Sequence, residues 1–198
     1  MQRDGILFGA VFILIILGLL LIFSGGHGKK ATPKKTGPTV MALPSYATTD
    51  ATVSYTVDGI VNGDELHRAI RIKIGSEQRE LDVLQGYNNT VVSTQTFYNT
   101  PDAYDVFLRS INHAGFLSKL KNSKAPSDER GECATGKRYI VELDQEGDTL
   151  SRLWTSDCGP QVGTFGGSAS AIGQLFQLQI PNYNTLVNKV NLNASGTQ

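Results

Sequence analysis

The chain has 198 residues and its charges balance, with 18 Lys and Arg against 18 Asp and Glu. Because there is no excess of basic residues, the composition gives no reason to expect a nucleic acid as a partner. When an apolar N-terminal segment and the linker after it are set aside, roughly 150 residues remain, which is the length of one ordinary domain with a single core.

The N-terminus carries an apolar run at residues 6–23 without a charged residue. As a helix this run would extend roughly 27 Å, close to the thickness of the hydrocarbon core of a bilayer. It is longer than the apolar region of most cleaved signal peptides, although Ser24-Gly25-Gly26 offers small residues for cleavage. We therefore predict a short tail at residues 1–5 and a retained transmembrane helix at 6–23 that contacts the lipid bilayer.

A flexible linker is predicted at residues 24–49, where glycine, proline and lysine are frequent and large apolar residues are few. Such a composition buries too little apolar surface to offset the entropy lost on ordering. The linker also bears on orientation, because loops rich in lysine and arginine stay on the cytoplasmic side. The linker contains four lysines, Lys29, Lys30, Lys34 and Lys35. By this rule they favour a cytoplasmic location for the domain that follows the linker.

Residues 50–192 are predicted to form an α+β domain, an antiparallel sheet with two or three helices packed on one face. Alternation of apolar and polar residues, together with β-branched content, predicts strands at 52–57, 69–74, 79–84, 91–97, 139–143 and 149–154. The polar stretch 145–148 between the last two contains Gly147, which is typical of a hairpin turn. Residues 193–198 are predicted to be a disordered tail.

Two helices are predicted from capping residues and from apolar spacing. Thr100 is a good N-cap, and Pro101 after it suits the first helical position. Ser168 is the N-cap of the second helix, which contains Ile172 and Phe176. A further short helix is predicted after Pro181.

The two cysteines of the chain, Cys133 and Cys158, flank the predicted hairpin almost symmetrically. This placement predicts a disulfide bond, which for a loop of this length stabilises the fold by roughly 3 kcal/mol. Two buried free thiols are the alternative. Structural disulfides persist in oxidising compartments, so the cysteines place the domain outside the cytoplasm, against the indication of the linker lysines. We follow the cysteines and predict a single-pass membrane protein of the cell envelope.

No set of residues in the chain makes a catalytic or metal-binding motif that we can identify. Two cysteines without a nearby histidine do not complete a zinc site, and no cofactor is predicted. The acidic residues near the hairpin tip do not match a calcium-binding loop. The pair Asp128-Glu129 is interpreted as a solvated part of a loop.

A glycine-rich segment is the best candidate for a binding site. Its glycines allow the backbone to approach a ligand closely, and its serine opens a helix whose N–H groups attract anions. The predicted binding residues are Gly163, Thr164, Phe165, Gly166, Gly167 and Ser168.

The sequence favours a membrane-anchored, extracytoplasmic, non-catalytic domain that binds protein or another surface ligand. A protein partner in the envelope is therefore expected, and the sequence does not indicate an oligomeric state. One alternative is a cytoplasm-facing accessory subunit of a membrane complex. Another is a cell-envelope hydrolase with His113 as base and Ser168 as nucleophile.

Overall fold

The computed structural model describes residues 40–159 and 162–193. Their main element is a six-stranded antiparallel sheet with the spatial order β4-β3-β2-β1-β5-β6. The strands are β1 (Thr52–Asp58), β2 (Arg68–Ile74), β3 (Gln78–Gln85), β4 (Thr90–Tyr98), β5 (Arg138–Gln145) and β6 (Asp148–Ser156). The helices are a 3-10 helix at Leu43–Tyr46, then α1 (Pro101–His113), α2 (Ala169–Gln177) and α3 (Tyr183–Val187). The predicted α+β class with an antiparallel sheet is confirmed.

The predicted N-caps have the expected local geometry. The Thr100 hydroxyl accepts a hydrogen bond from the backbone N–H of Ala103 at 3.2 Å, and Pro101 follows as the first residue of α1. The Ser168 hydroxyl accepts one from the N–H of Ala171, also at 3.2 Å, at the start of α2. Each cap satisfies a backbone donor that has no partner within its own helix.

The core lies between the helices and one face of the sheet, and aromatic side chains form its centre. Phe176 of α2 lies 5.7 Å from the Tyr55 ring of β1 and 5.0 Å from the Phe107 ring of α1. The ring of Phe116, in the turn after α1, stacks on the Phe176 ring, with the ring centres 6.0 Å apart. Phe176 therefore connects both longer helices to the sheet.

The folded part of the chain begins earlier than the predicted end of the linker at residue 49. Leu43 and Tyr46 of the 3-10 helix are fully buried in the core. The Tyr46 hydroxyl accepts from the N–H of Met41, and the Tyr104 hydroxyl of α1 donates to the carbonyl of Ala51 at 2.7 Å. The composition of residues 24–49 as a whole did not reveal this segment, because its two large apolar residues find their partners in a distant helix.

The predicted transmembrane segment at residues 6–23 lies outside the described residues, as does most of the predicted C-terminal tail. Within residues 40–159 and 162–193, no helix has both the length and the apolar character needed to cross a membrane.

Candidate functional site

Charged side chains form paired rows on the sheet face that points away from Tyr55. Arg71 of β2 lies opposite Asp82 of β3, and its Nη2 donates to the Asp82 carboxylate at 2.7 Å. Two residues further along β2, Nζ of Lys73 lies 2.7 Å from the carboxylate of Glu80 on β3. Strand alternation places these residues on one face, so the sheet has an apolar side for the helices and a polar side.

A cleft of about 150 Å³ opens on this polar face. Its floor comes from strands, with Thr56 and Arg71 in the middle of the sheet and Glu142 on β5. Its walls come from the β3–β4 turn, through Asn89, and from the loop between α1 and β5, through Arg130. A second depression of about 400 Å³ adjoins it and shares both walls. We refer to the two together as the polar cleft.

An arginine bound by two glutamates forms one side of the polar cleft. The Nη2 of Arg152 donates to Oε1 of Glu129 at 2.7 Å, and its Nε donates to Oε1 of Glu142 at 2.9 Å. Glu129 is only 6% exposed, so the interpretation of Asp128-Glu129 as solvated is wrong for Glu129. The loop folds back over β6 and closes Glu129 against Arg152, a contact that strand alternation alone does not reveal.

A buried ionic cluster forms the opposite side of the polar cleft. Asp58, at the end of β1, accepts from Nε of Arg138 at 2.8 Å through Oδ2. Its other oxygen, Oδ1, lies 2.7 Å from Nε2 of His67. The remaining ring nitrogen, Nδ1, lies 3.2 Å from the carbonyl oxygen of Ile60. Both ring nitrogens of His67 therefore have an oxygen atom within hydrogen-bonding distance, which fixes the orientation of the ring.

The His67 ring is held from its face by Tyr87 of the β3–β4 turn, with the ring centres 4.2 Å apart and the planes nearly parallel. The Tyr87 hydroxyl donates to the carbonyl of Asn62 at 2.8 Å, and the Tyr87 N–H donates to Asp64 at 2.8 Å. The wall of the polar cleft is thus fixed by contacts between two turns that lie next to each other.

Burial and ion pairing change the acidity of carboxyl groups around the polar cleft. Burial raises the pKa of Glu142 above its ordinary value, and the neighbouring Arg152 acts in the opposite direction. Hydrogen bonds from Arg130 hold the pKa of Asp128, at the rim, well below its usual range. Along this wall two guanidinium groups thus contact three carboxylates, because Arg152 is shared by Glu129 and Glu142 while Arg130 pairs with Asp128.

The predicted disulfide between Cys133 and Cys158 is confirmed, with a Cα–Cα distance of 5.6 Å. It ties the loop that carries Glu129 to the end of β6. Asp157 lies close to both sulfur atoms, in a group whose ligand atoms fall within 4.8 Å of one another. In the disulfide the two sulfurs are bonded to each other, which removes the thiolates that a metal ion would need.

The structure places the glycine-rich segment between β6 and the residues that follow α1, where Lys119 forms an isolated bridge with Phe165. Thr164 and Phe165 donate their N–H groups to the carbonyl of Trp154, and the Phe165 side chain is buried in the core. The side of each glycine on which a side chain would stand faces another part of the chain. A Cβ on Gly163 would meet Trp154 and Thr155, and a Cβ on Gly166 would meet Lys119. A Cβ on Gly167 would meet the ring of Phe165. These glycines permit close packing within the chain, and their role in ligand binding stays a prediction.

The two residues of the hydrolase alternative, His113 and Ser168, lie on different helices or at their ends. The Ser168 hydroxyl caps α2, and His113 is exposed in the last turn of α1. No hydrogen bond between the two is found among the described residues. Neither residue lines the polar cleft.

The chain matches no protein-family model, and a search of curated proteins finds no significant match.

The polar cleft is not among the sites predicted from the sequence. In β2, Arg71 and Lys73 alternate with isoleucines, and the prediction of a strand depends only on the apolar half of that alternation. The alternating polar residues of β1, β2 and β5 carried a usable signal, since a charged face shared by adjacent strands forms a surface. The partners from the loop at 127–130 had no such signal, because their contacts cross more than 20 positions in the chain.

Proposed function

We propose that this chain is a membrane-tethered, extracytoplasmic binding module without catalytic activity, and that it holds a polar segment of another envelope protein in the polar cleft. The observation that supports this most directly is the wall of alternating guanidinium and carboxylate groups beside an aromatic residue, Tyr87. In this proposal residues 6–23 anchor the chain in the membrane, and residues 24–39 form most of the linker between the membrane and the domain.

The pairing of the charged groups favours binding over chemistry. A general base needs a free lone pair directed at its substrate. Both nitrogens of His67 are engaged by Asp58 and by the carbonyl of Ile60. Glu129, the least exposed acid that lines the polar cleft, accepts from Arg152 through Oε1, and its Oε2 lies within ion-pair distance of the same guanidinium. These groups are held in place by each other, which suits a preformed surface for recognition.

The chemistry of the wall indicates what kind of segment would fit. A peptide carrying both signs of charge could replace solvent at Arg130 and at Glu142 without leaving a charge unpaired. Strongly acidic or strongly basic ligands have no such match, since the cleft presents charges of both signs. Electrostatic complementarity of this kind determines specificity and register more than it determines affinity.

Photo-cross-linking in intact cells tests the proposal. A photoreactive amino acid replaces Asn89, an exposed residue of the cleft wall, in the full-length chain. We expect a discrete cross-linked protein that disappears when Arg130→Glu is added, because the reversed charge repels what the cleft holds. The matched control carries the same photoreactive group at Val106, a 64% exposed position on α1, and should not capture that protein. Equal capture from both positions, or no capture from Asn89, would contradict the proposal.

The extracytoplasmic location is supported by the disulfide, because such bonds persist in oxidising compartments. We expect a membrane-impermeant maleimide to label intact cells only after an external reductant opens the Cys133–Cys158 bond. The variant with both cysteines replaced by serine gives the background. Labelling that requires lysis and no reductant would place free thiols inside the cell. That result would favour the alternative, an accessory subunit facing the cytoplasm.

A further inference from the structure

The turn between β3 and β4 contains a triplet that matches the acceptor pattern for N-linked sugars. Asn88, Asn89 and Thr90 stand in the order asparagine, any residue except proline, and threonine. The pattern is short and recurs by chance, so its place in the fold decides whether it can serve as an acceptor. An acceptor asparagine needs a side chain that an enzyme can reach from solvent.

The triplet is exposed along its whole length. Residues 86–89 form the turn, and Thr90 is the first residue of β4. The side chains of Asn88, Asn89 and Thr90 are all exposed. Strand β4 ends the sheet on this side, and within residues 40–159 and 162–193 no further strand lies beside the turn. The structure therefore leaves the triplet open to an enzyme.

The backbone of the turn keeps Asn88 apart from the strand pairing. Gly86 has a φ of 70° and Asn89 a φ of 54°, in the left-handed region that glycine and asparagine adopt most readily. The N–H of Asn89 donates to the carbonyl of Gly86 at 3.2 Å and closes the turn. The last paired residues are Gln85 and Thr90, so Asn88 lies outside the ladder of β3 and β4. A modification of its side chain breaks no strand pairing.

Contacts of the neighbouring Tyr87 hold the turn in place without using Asn88. The Tyr87 ring stacks on His67, and the Tyr87 N–H donates to Asp64 at 2.8 Å. Its hydroxyl donates to the carbonyl of Asn62. Among the described residues, no hydrogen bond of the Asn88 side chain is found. The turn is thus fixed while the Asn88 amide stays available for chemistry.

The position of Asn88 is compatible with a ligand in the polar cleft. Tyr87 and Asn89 line the cleft, whereas Asn88 does not. A group attached to Asn88 would therefore start beside the cleft wall, outside the space that a bound segment would fill.

We propose that Asn88 is a site of N-linked glycosylation. The amide nitrogen of Asn88 attacks the anomeric carbon of an oligosaccharide carried on a polyprenyl diphosphate, supplied by the transferase of the host membrane. A carbon–nitrogen bond forms, the bond from that carbon to the diphosphate oxygen breaks, the amide loses one proton and the lipid diphosphate leaves. The transfer takes place outside the cytoplasm, so this inference rests on the extracytoplasmic location in the proposed function. A second matching triplet, at residues 193–195, extends beyond the described residues and is not included.

Mass spectrometry of the full-length chain, isolated in detergent from its native membrane, tests the proposal. Trypsin releases residues 80–109 as one peptide, which contains Asn88 and excludes the triplet at 193–195. We expect this peptide to carry a sugar chain, with fragment ions that place the sugar on Asn88. A peptide with the mass of the unmodified sequence would overturn the proposal.

Substitutions within the turn test whether the triplet directs the modification. Thr90→Ala removes the hydroxyl that the pattern requires and should abolish the modification, whereas Thr90→Ser keeps a hydroxyl and should retain it. Asn89→Gly is the matched control, since glycine adopts a positive φ and leaves the pattern intact. A sugar on Asn88 that survives Thr90→Ala would contradict the proposal.

The maleimide experiment on the same cells separates this inference from the location on which it rests. An unmodified peptide from a chain that is labelled outside the cell overturns the glycosylation alone. An unmodified peptide from a chain that is labelled only after lysis overturns the location as well.

Discussion

Replacing Arg138 by methionine should lower the free energy of unfolding by about 3–5 kcal/mol, the usual cost of removing one partner from a buried ion pair. Arg138 is 1% exposed and donates to Asp58 and to the carbonyls of Gly59, Glu132 and Cys133. Methionine keeps much of the volume and supplies none of these donors. The carbonyl oxygens of Gly59 and Glu132 and one oxygen of the Asp58 carboxylate would lose their arginine donor, while the Cys133 carbonyl would keep only the N–H of Gly136.

The loss is measured by chemical denaturation of the full-length chain in detergent, followed by near-ultraviolet circular dichroism. Arg109→Met is the matched control, because Arg109 is 60% exposed and pairs with Asp105 one helical turn away. Solvent competes with that pair, so the control should leave the transition midpoint unchanged. Equal midpoints for the two variants would show that the buried cluster contributes no more than a surface pair.

Replacing Phe176 by alanine should also lower the free energy of unfolding by about 3–5 kcal/mol. The ring of Phe176 is fully buried, and it contacts the rings of Tyr55, Phe107 and Phe116. Its removal leaves a cavity at the point where α1, α2 and the sheet meet. The rigid sheet on one side prevents the surrounding groups from collapsing into that space.

The same denaturation experiment measures this effect. Leu178→Ala is the control, since Leu178 directly follows α2 and is 78% exposed. A surface change of this kind should shift the free energy of unfolding by no more than about 0.5 kcal/mol. A loss below about 1 kcal/mol for Phe176→Ala would mean that the aromatic cluster is not the centre of the core.

Local patterns in the sequence carried much of the fold. Alternation in β1 and β2, the Gly147 turn between β5 and β6, and the two N-caps each depend on residues a few positions apart. The disulfide followed from the same logic, since the hairpin that it closes lies between the two cysteines. Each of these features is determined by short-range geometry, which a sequence displays directly.

The candidate site depends on contacts between distant parts of the chain. Asp58 and Arg138 are 80 positions apart, and Glu129 reaches Arg152 over 23. Polar residues that alternate with apolar ones predict a face that is exposed to solvent, and nothing local shows that a loop will fold over that face. The sequence by itself therefore determined the strands, the helix starts and the disulfide. The tertiary structure alone decided which charges meet. The order of the strands in the sheet and the path of the loop before β5 bring together residues that are far apart in the sequence.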